Sequence, residues 1–169
     1  MIPVAIVIIS DSVVRGTRED RSGAQLRERV EALGWELAAQ AVVADEVDQI
    51  AAKLTALVRA GDVSLILTTG GTGVALRDVT PEATRSVIDR EIPGVAETMR
   101  SEGSKSTRYA VLSRGIAGTR GRVLIVNLPG SPKGALESLD AIADLIPHMV
   151  DLLHGKTEHA QTHENPVRN

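Results

Sequence analysis

The sequence predicts an α/β fold, a three-layer sandwich with helices on both faces of a mostly parallel sheet. Two observations carry this. Short apolar runs rich in Val, Ile and Leu recur without polar alternation, as expected of strands buried on both faces. Between them lie segments with apolar residues at helical spacing, so strands and crossover helices alternate along the chain. At 169 residues the chain is of single-domain size. The reading gives one domain over residues 1–155 and a polar tail over 156–169.

Pro3 to Ser10, "PVAIVIIS", is the first strand, ending in Ser10, Asp11 and Ser12. The loop "VVRGTREDRSG" leads to a helix over Ala24 to Leu33, with Leu26, Val30 and Leu33 on one face, Ser22 as its cap and Gly34 as its stop. Trp35 to Val43 is the second strand and runs into Ala44, Asp45 and Glu46. Val47, Ile50, Ala51, Leu54, Leu57 and Val58 trace a helix closing at Gly61. Val63 to Thr68 is the third strand, followed at once by "TGGTG" from Thr69 to Gly73.

Helices are predicted over Pro81 to Arg90, with Thr80 as N-cap and Pro81 in the first helical position, and over Gly94 to Ser101. A short strand near Ile116, a turn at Arg120 and Gly121 and a strand from Val123 to Leu128 follow. The last helix spans Gly134 to Leu153 with a kink at Pro147.

Composition narrows the chemistry. There are no cysteines and no Phe, with one Trp and one Tyr. Disulfides, thiolate metal sites and a cysteine nucleophile are therefore excluded, and aromatic stacking platforms are scarce. The net charge of -3, with basic residues scattered among acids, gives no stripe for nucleic acid. The apolar N-terminal run is about seven residues long, too short for a membrane span. It also lacks a basic leader, so a cytoplasmic protein with no membrane attachment is expected. His148, His154, His159 and His163 have no metal-site spacing.

In open α/β sheets ligands bind beyond the carboxyl ends of the strands. Ser10 and Asp11, then Asp45, then Gly70 to Gly73, then Pro129 to Lys133 all follow predicted strands directly, which places four loops on one sheet edge. The glycines of "TTGGTG" allow positive φ and close backbone approach, which serves a tight turn or an anion cradle equally. Neither a GxxxxGK[ST] nor a GxGxxG pattern is present. Glu82 is read as a dipole complement in the first turn of its helix. Asp78 is redundant for capping if Thr80 caps, and beside a phosphate it calls for a divalent cation. Mg²⁺ uses one or two carboxylates together with phosphate oxygens, and Asp45 can supply the second. In "NLPGSPKG", Ser131 can donate and Lys133 brings a cation near a helix start. A plain Pro-Gly turn explains the same residues.

"ISDS", the Asp45–Glu46 pair, "TTGGTG", "RDVTPEAT" and "NLPGSPKG", in this order and spacing, resemble the molybdopterin adenylyltransferase family. This is the MogA and MoaB type, which includes the gephyrin G domain. The similarity covers about Val4 to Gly155, and "GGTG" followed by "RDVTPEAT" is its most specific part. The resemblance implies adenylyl transfer from ATP to the terminal phosphate of molybdopterin, with Mg²⁺, in molybdenum cofactor biosynthesis. A pterin-binding protein without catalysis is the alternative on the same fold.

By resemblance Asp45 and Asp78 are the catalytic and metal-holding residues. Ser10, Asp11, Gly70, Gly71, Thr72, Gly73, Thr80, Pro129, Gly130, Ser131 and Lys133 are then the substrate- and nucleotide-binding set. The resemblance further implies a homo-oligomer, a trimer or a hexamer, and a molybdenum-inserting protein downstream. From the residues alone the reading stops at a phosphate-bearing ligand.

Overall fold

The computed structural model describes residues 1–156. The predicted tail lies almost wholly outside them, as do His159 and His163. Six strands form one sheet: β1 (Pro3–Ile9), β2 (Glu36–Val43), β3 (Leu65–Thr69), β4 (Arg90–Glu91), β5 (Ala117–Arg120) and β6 (Val123–Leu128). The helices are α1 (Asp11–Val14), α2 (Arg21–Ala32), α3 (Val47–Ala60), α4 (Thr80–Val87), α5 (Pro93–Ser106), α6 (Pro132–Asp140) and α7 (Ile146–Leu153), with a 3-10 turn at Arg108–Leu112.

The sheet order is β2-β1-β3-β6-β5-β4. β2, β1, β3 and β6 are parallel, whereas β5 runs antiparallel to β6 and β4 antiparallel to β5. The central strands are apolar except for Thr68, Thr69 and Asn127 toward their carboxyl ends, because both faces are covered. Val4, Ile6, Ile8, Leu65, Leu67 and Leu124 pack under α2, α5, α6 and α7. Ala5, Val7, Ile9, Ile66 and Ile125 pack under α3 and α4. The three-layer, mostly parallel sandwich is as predicted. After β1 the chain steps outward to β2 and then returns past β1 to β3, so the order reverses between β1 and β3. Ligand crevices open at such reversals.

Several local expectations need correction. Helix α2 begins three residues earlier than predicted, and Asp20 rather than Ser22 caps it, accepting from the Gly23 N–H at 2.7 Å. The loop after β1 contains α1, whose cap is Ser10. Thr80 is not a cap; it lies inside α4, and its hydroxyl donates to the Gly70 carbonyl at 2.9 Å. Helix α4 ends at Val87, and the residues just beyond it form β4. Helix α5 is longer than predicted. The last helix is two, separated at residues 141–145 just before Pro147. Proline has no N–H for the carbonyl four residues back, and its ring crowds that position.

Candidate active site

Backbone geometry brings the four loops together at the reversal. Gly70 and Gly71 have φ of +104° and +64°, a region that favours glycine. A Cβ on Gly70 would stand 2.2 Å from the Ile9 carbonyl oxygen, and one on Gly130 would stand 3.2 Å from the Gly70 Cα. Only chain without side chains at 70 and 130 lets the loops after β1, β3 and β6 meet this closely. The Thr69 hydroxyl donates to the Pro129 carbonyl at 2.7 Å, and the Thr80 N–H donates to the Gly71 carbonyl at 3.0 Å, closing the turn.

The two predicted carboxylates flank this turn. A Cβ on Gly71 would lie 3.1 Å from Asp45 Oδ1, and one on Gly73 would lie 2.8 Å from Asp78 Oδ2. The turn is therefore a cradle that side chains would fill. Asp45 and Asp11 hold each other: the Asp11 N–H donates to Asp45 Oδ2 at 2.9 Å and the Asp45 N–H to Asp11 Oδ1 at 3.0 Å. Arg77 Nε donates to Asp11 Oδ2 at 2.8 Å, and its Nη2 to Glu46 at 2.9 Å. Asp78 Oδ2 accepts from the Ala75 N–H. Among the described residues the second oxygen of each acid, Asp45 Oδ1 and Asp78 Oδ1, has no hydrogen-bond partner.

Electrostatics separates the acids. Burial pushes the Asp45 carboxyl above its ordinary value, helped by the neighbouring Asp11 and Asp78 carboxylates. The Asp45 N–H, with Arg77 in support, holds Asp11 below its ordinary value. A carboxylate raised by burial and by like charge is one that a cation would stabilise, and such perturbation concentrates at functional sites. No group of three or more metal-ligating side chains occurs among the described residues. Two acids with the remaining positions left to water or ligand oxygens is the donor set that suits Mg²⁺.

Two cavities open on this frame. One, of about 370 Å³, is lined by Ala96, Met99 and Leu112 with Thr72, Gly73, Asn127 and Pro129. The other, of about 320 Å³, is polar and is lined by Ser10, Arg18, Arg21, Ser22, Asp45 and Gly70. They share Gly71, Asp78, Gly130 and Ser131 as a common wall.

Most of the residues expected from sequence are thus brought together, and three stand apart. Asp11 lines neither cavity and acts on Asp45. Thr80 is fully buried beneath the turn. Lys133 lines neither cavity and lies 3.7 Å from Glu137 at the surface. Ser131 lines both cavities and also caps α6 through the Gly134 N–H.

Sequence reasoning missed Arg114, whose guanidinium donates to the Gly73 and Asp78 carbonyls and pairs with Glu82. It also gave the "DRSG" stretch no part in the site. There Asp20 caps α2, the buried Ser22 hydroxyl donates to the Gly130 carbonyl at 2.7 Å, and Arg21 faces the polar cavity. An Asp followed three residues later by Gly at a helix start was the available signal; the contact to Gly130 had none.

A glycine cradle at the reversal of a parallel sheet, with two acids and a pair of adjoining cavities, defines an α/β domain with its candidate site at the strand ends. Comparison with known proteins gives the family. Residues 5–148 match the model of the probable molybdopterin binding domain. The chain is 42% identical to the molybdopterin adenylyltransferase of Helicobacter pylori strain J99, covering 91% of this chain and 89% of that one. It is 37% identical to the molybdenum cofactor biosynthesis bifunctional protein of Chlorobaculum tepidum, covering 89% of this chain and 48% of that one. It superposes on the crystal structure of the molybdopterin biosynthesis enzyme MoaB of Thermus thermophilus with a TM-score of 0.87 at 49% identity, covering 92% and 98% of the two chains. The chain belongs to the molybdopterin-binding domain family of molybdenum cofactor biosynthesis.

Proposed function

We propose that the chain is a molybdopterin adenylyltransferase: the terminal phosphate of molybdopterin attacks the α-phosphorus of ATP, forming adenylylated molybdopterin and releasing pyrophosphate. The names of its relatives support the reaction. The single observation that carries the reading is the shared wall. Two cavities large enough for separate ligands meet along Gly71, Asp78, Gly130 and Ser131, so two phosphate esters bound one in each would have their phosphates at the seam.

In this reading the chain contributes position and charge rather than proton transfer. The nucleophile is already a phosphate anion near neutral pH, and holding it in line with the α-phosphorus supplies much of the acceleration. The cavity lined by Ala96, Met99 and Leu112 suits a flat heterocycle. The cavity with Arg18, Arg21 and Ser10 suits phosphate oxygens, for which guanidinium is a good donor. The backbone N–H groups of Gly71 to Gly73 serve the seam, while that of Gly70 donates to the Leu128 carbonyl. Asp45 and Asp78 would hold Mg²⁺, which neutralises the charge of the phosphates being joined. Asp11 and Arg77 keep Asp45 in place.

The adenylylated product calls for a consuming reaction that inserts the metal. A relative named as bifunctional, of which this chain spans 48%, supports a partner domain or protein acting next. A homo-oligomer, a trimer by resemblance, is part of the proposal; the exposed Leu76, Tyr109 and Val111 supply apolar surface for it. So is a cytoplasmic location, where ATP is available. No helix among the described residues is long and apolar enough to cross a membrane. The test is pyrophosphate release from ATP by the purified chain. Release is expected only when molybdopterin and Mg²⁺ are both present, and no release above a protein-free control would reject the enzyme.

A further inference from the structure

The segment from Gly73 to Asp78 delivers one of the two acids, and its backbone carries few bonds of its own to the rest of the molecule. Val74 is 69% exposed and Leu76 100% exposed, so no apolar side chain of these two anchors it to the core. Its internal bonds, Ala75 N–H to Asp78 Oδ2 and Asp78 N–H to the Ala75 carbonyl, shape the turn without attaching it to the rest of the molecule.

Attachment comes from two arginines: Arg77, within the segment, pairs through its side chain with Asp11 and Glu46, and the distant Arg114 holds the backbone. The Arg114 N–H donates to the Thr72 carbonyl at 2.8 Å. Its Nε donates to the Gly73 carbonyl at 2.7 Å and its Nη2 to the Asp78 carbonyl at 2.6 Å. One planar guanidinium therefore clamps both ends of the turn. Glu82, on the first turn of α4, pairs with Nη1 and fixes the plane of the fork. A lysine cannot reproduce this, because a point charge has no fixed fork. Glu82 chiefly, and the Asp78 carboxylate less, favour the charged guanidinium.

We propose that Arg114 is a positioning residue for adenylyl transfer: it acts through the Gly73–Asp78 turn and sets where Asp78 stands relative to Asp45. The proposal rests on the reaction inferred above, and its test separates the two. In Arg114→Ala the turn loses both guanidinium bonds to its backbone and keeps only the Arg77 side-chain pairs, and trypsin should cut after Arg77 at least about tenfold faster than in the wild type, the order expected for losing charge-assisted hydrogen bonds. Mass spectrometry of the fragments identifies that bond.

The Mg²⁺ concentration for half-maximal pyrophosphate release should rise by at least about tenfold. Free guanidinium at tens of millimolar, roughly the range needed to refill such a weak site, should restore part of the rate, and methylammonium should not. Arg114→Lys should recover less than free guanidinium does. Glu82→Gln, which leaves the guanidinium present but unoriented, should shift both readouts in the same direction by less, and it decides the matter if Arg114→Ala does not fold. Wild-type cleavage and wild-type Mg²⁺ dependence in both variants would overturn the positioning role. If the wild type itself releases no pyrophosphate, the reaction is wrong, and the cleavage comparison still decides whether Arg114 holds the turn.

Discussion

Two glycines of the cradle, Gly70 and Gly73, carry different duties, and substitution should separate them. At Gly70 a methyl group meets the Ile9 carbonyl at 2.2 Å on a φ of +104°, so both chain and conformation resist. Gly70→Ala should cost about 2–4 kcal/mol of stability, read by urea denaturation. At Gly73 φ is ordinary and the methyl group meets only the Asp78 carboxylate, at 2.8 Å. Gly73→Ala should change stability by less than about 1 kcal/mol while lowering pyrophosphate release by about tenfold or more.

Asp45 gives a pH test. Its carboxyl is raised above 3.8 chiefly by burial, so the folded state binds the proton more tightly than the unfolded one. Stability is therefore lost as pH rises from 3.8 through the folded value, and that cost persists at neutral pH. Asp45→Asn should raise the denaturation midpoint near neutral pH, and the gain should disappear below pH 3.8. An equal effect at both pH values would show that the charge is not the cause. Asp45 and the glycines were legible in the sequence because each follows a strand directly, and Asp78 because it stands just before a helix start that already had a cap candidate. Arg114 was not, since its bonds reach 36 and 41 residues back along the chain and no local pattern records them.

At the scale of elements, alternation of strand and helix was readable because a doubly covered strand has an apolar run and a helix has its own period. The misreadings occurred where tertiary contact decided. "DVTPEAT" looks like a capped start at Thr80, yet the Thr80 N–H and hydroxyl bond to the glycine turn and draw the residue into α4. The stretch from Ala135 to Leu153 keeps one apolar face through its break because Leu139, Ile142 and Ile146 all reach the same core; periodicity cannot report a break that leaves the buried face unchanged. At α2 the cap places Ser22 and Arg21 at the polar cavity. Asp20→Ala removes the side-chain acceptor for the Gly23 N–H and should cost about 0.5–2 kcal/mol in chemical denaturation. A loss near zero would mean that α2 is fixed by the Ser22–Gly130 bond instead.

For the whole molecule, the reversal of strand order between β1 and β3 determines where the loops meet, and the antiparallel β5 and β4 extend the sheet on the far side of β6 without altering that edge. Fold and sheet edge follow from pattern alone, because burial on both faces leaves its mark on β1, β3 and β6. The division of the edge into two cavities does not, because its wall joins Gly71 and Asp78 to Gly130 and Ser131 across a long sequence separation. The central claim is that the seam between those cavities is a place of reaction and not only of binding. Asp45→Asn tests it most directly when molybdopterin affinity and pyrophosphate release are measured on the same preparation. The account predicts that affinity stays within about threefold of the wild type while release falls by at least about 10²-fold; unchanged release, or binding and release lost together, would contradict it.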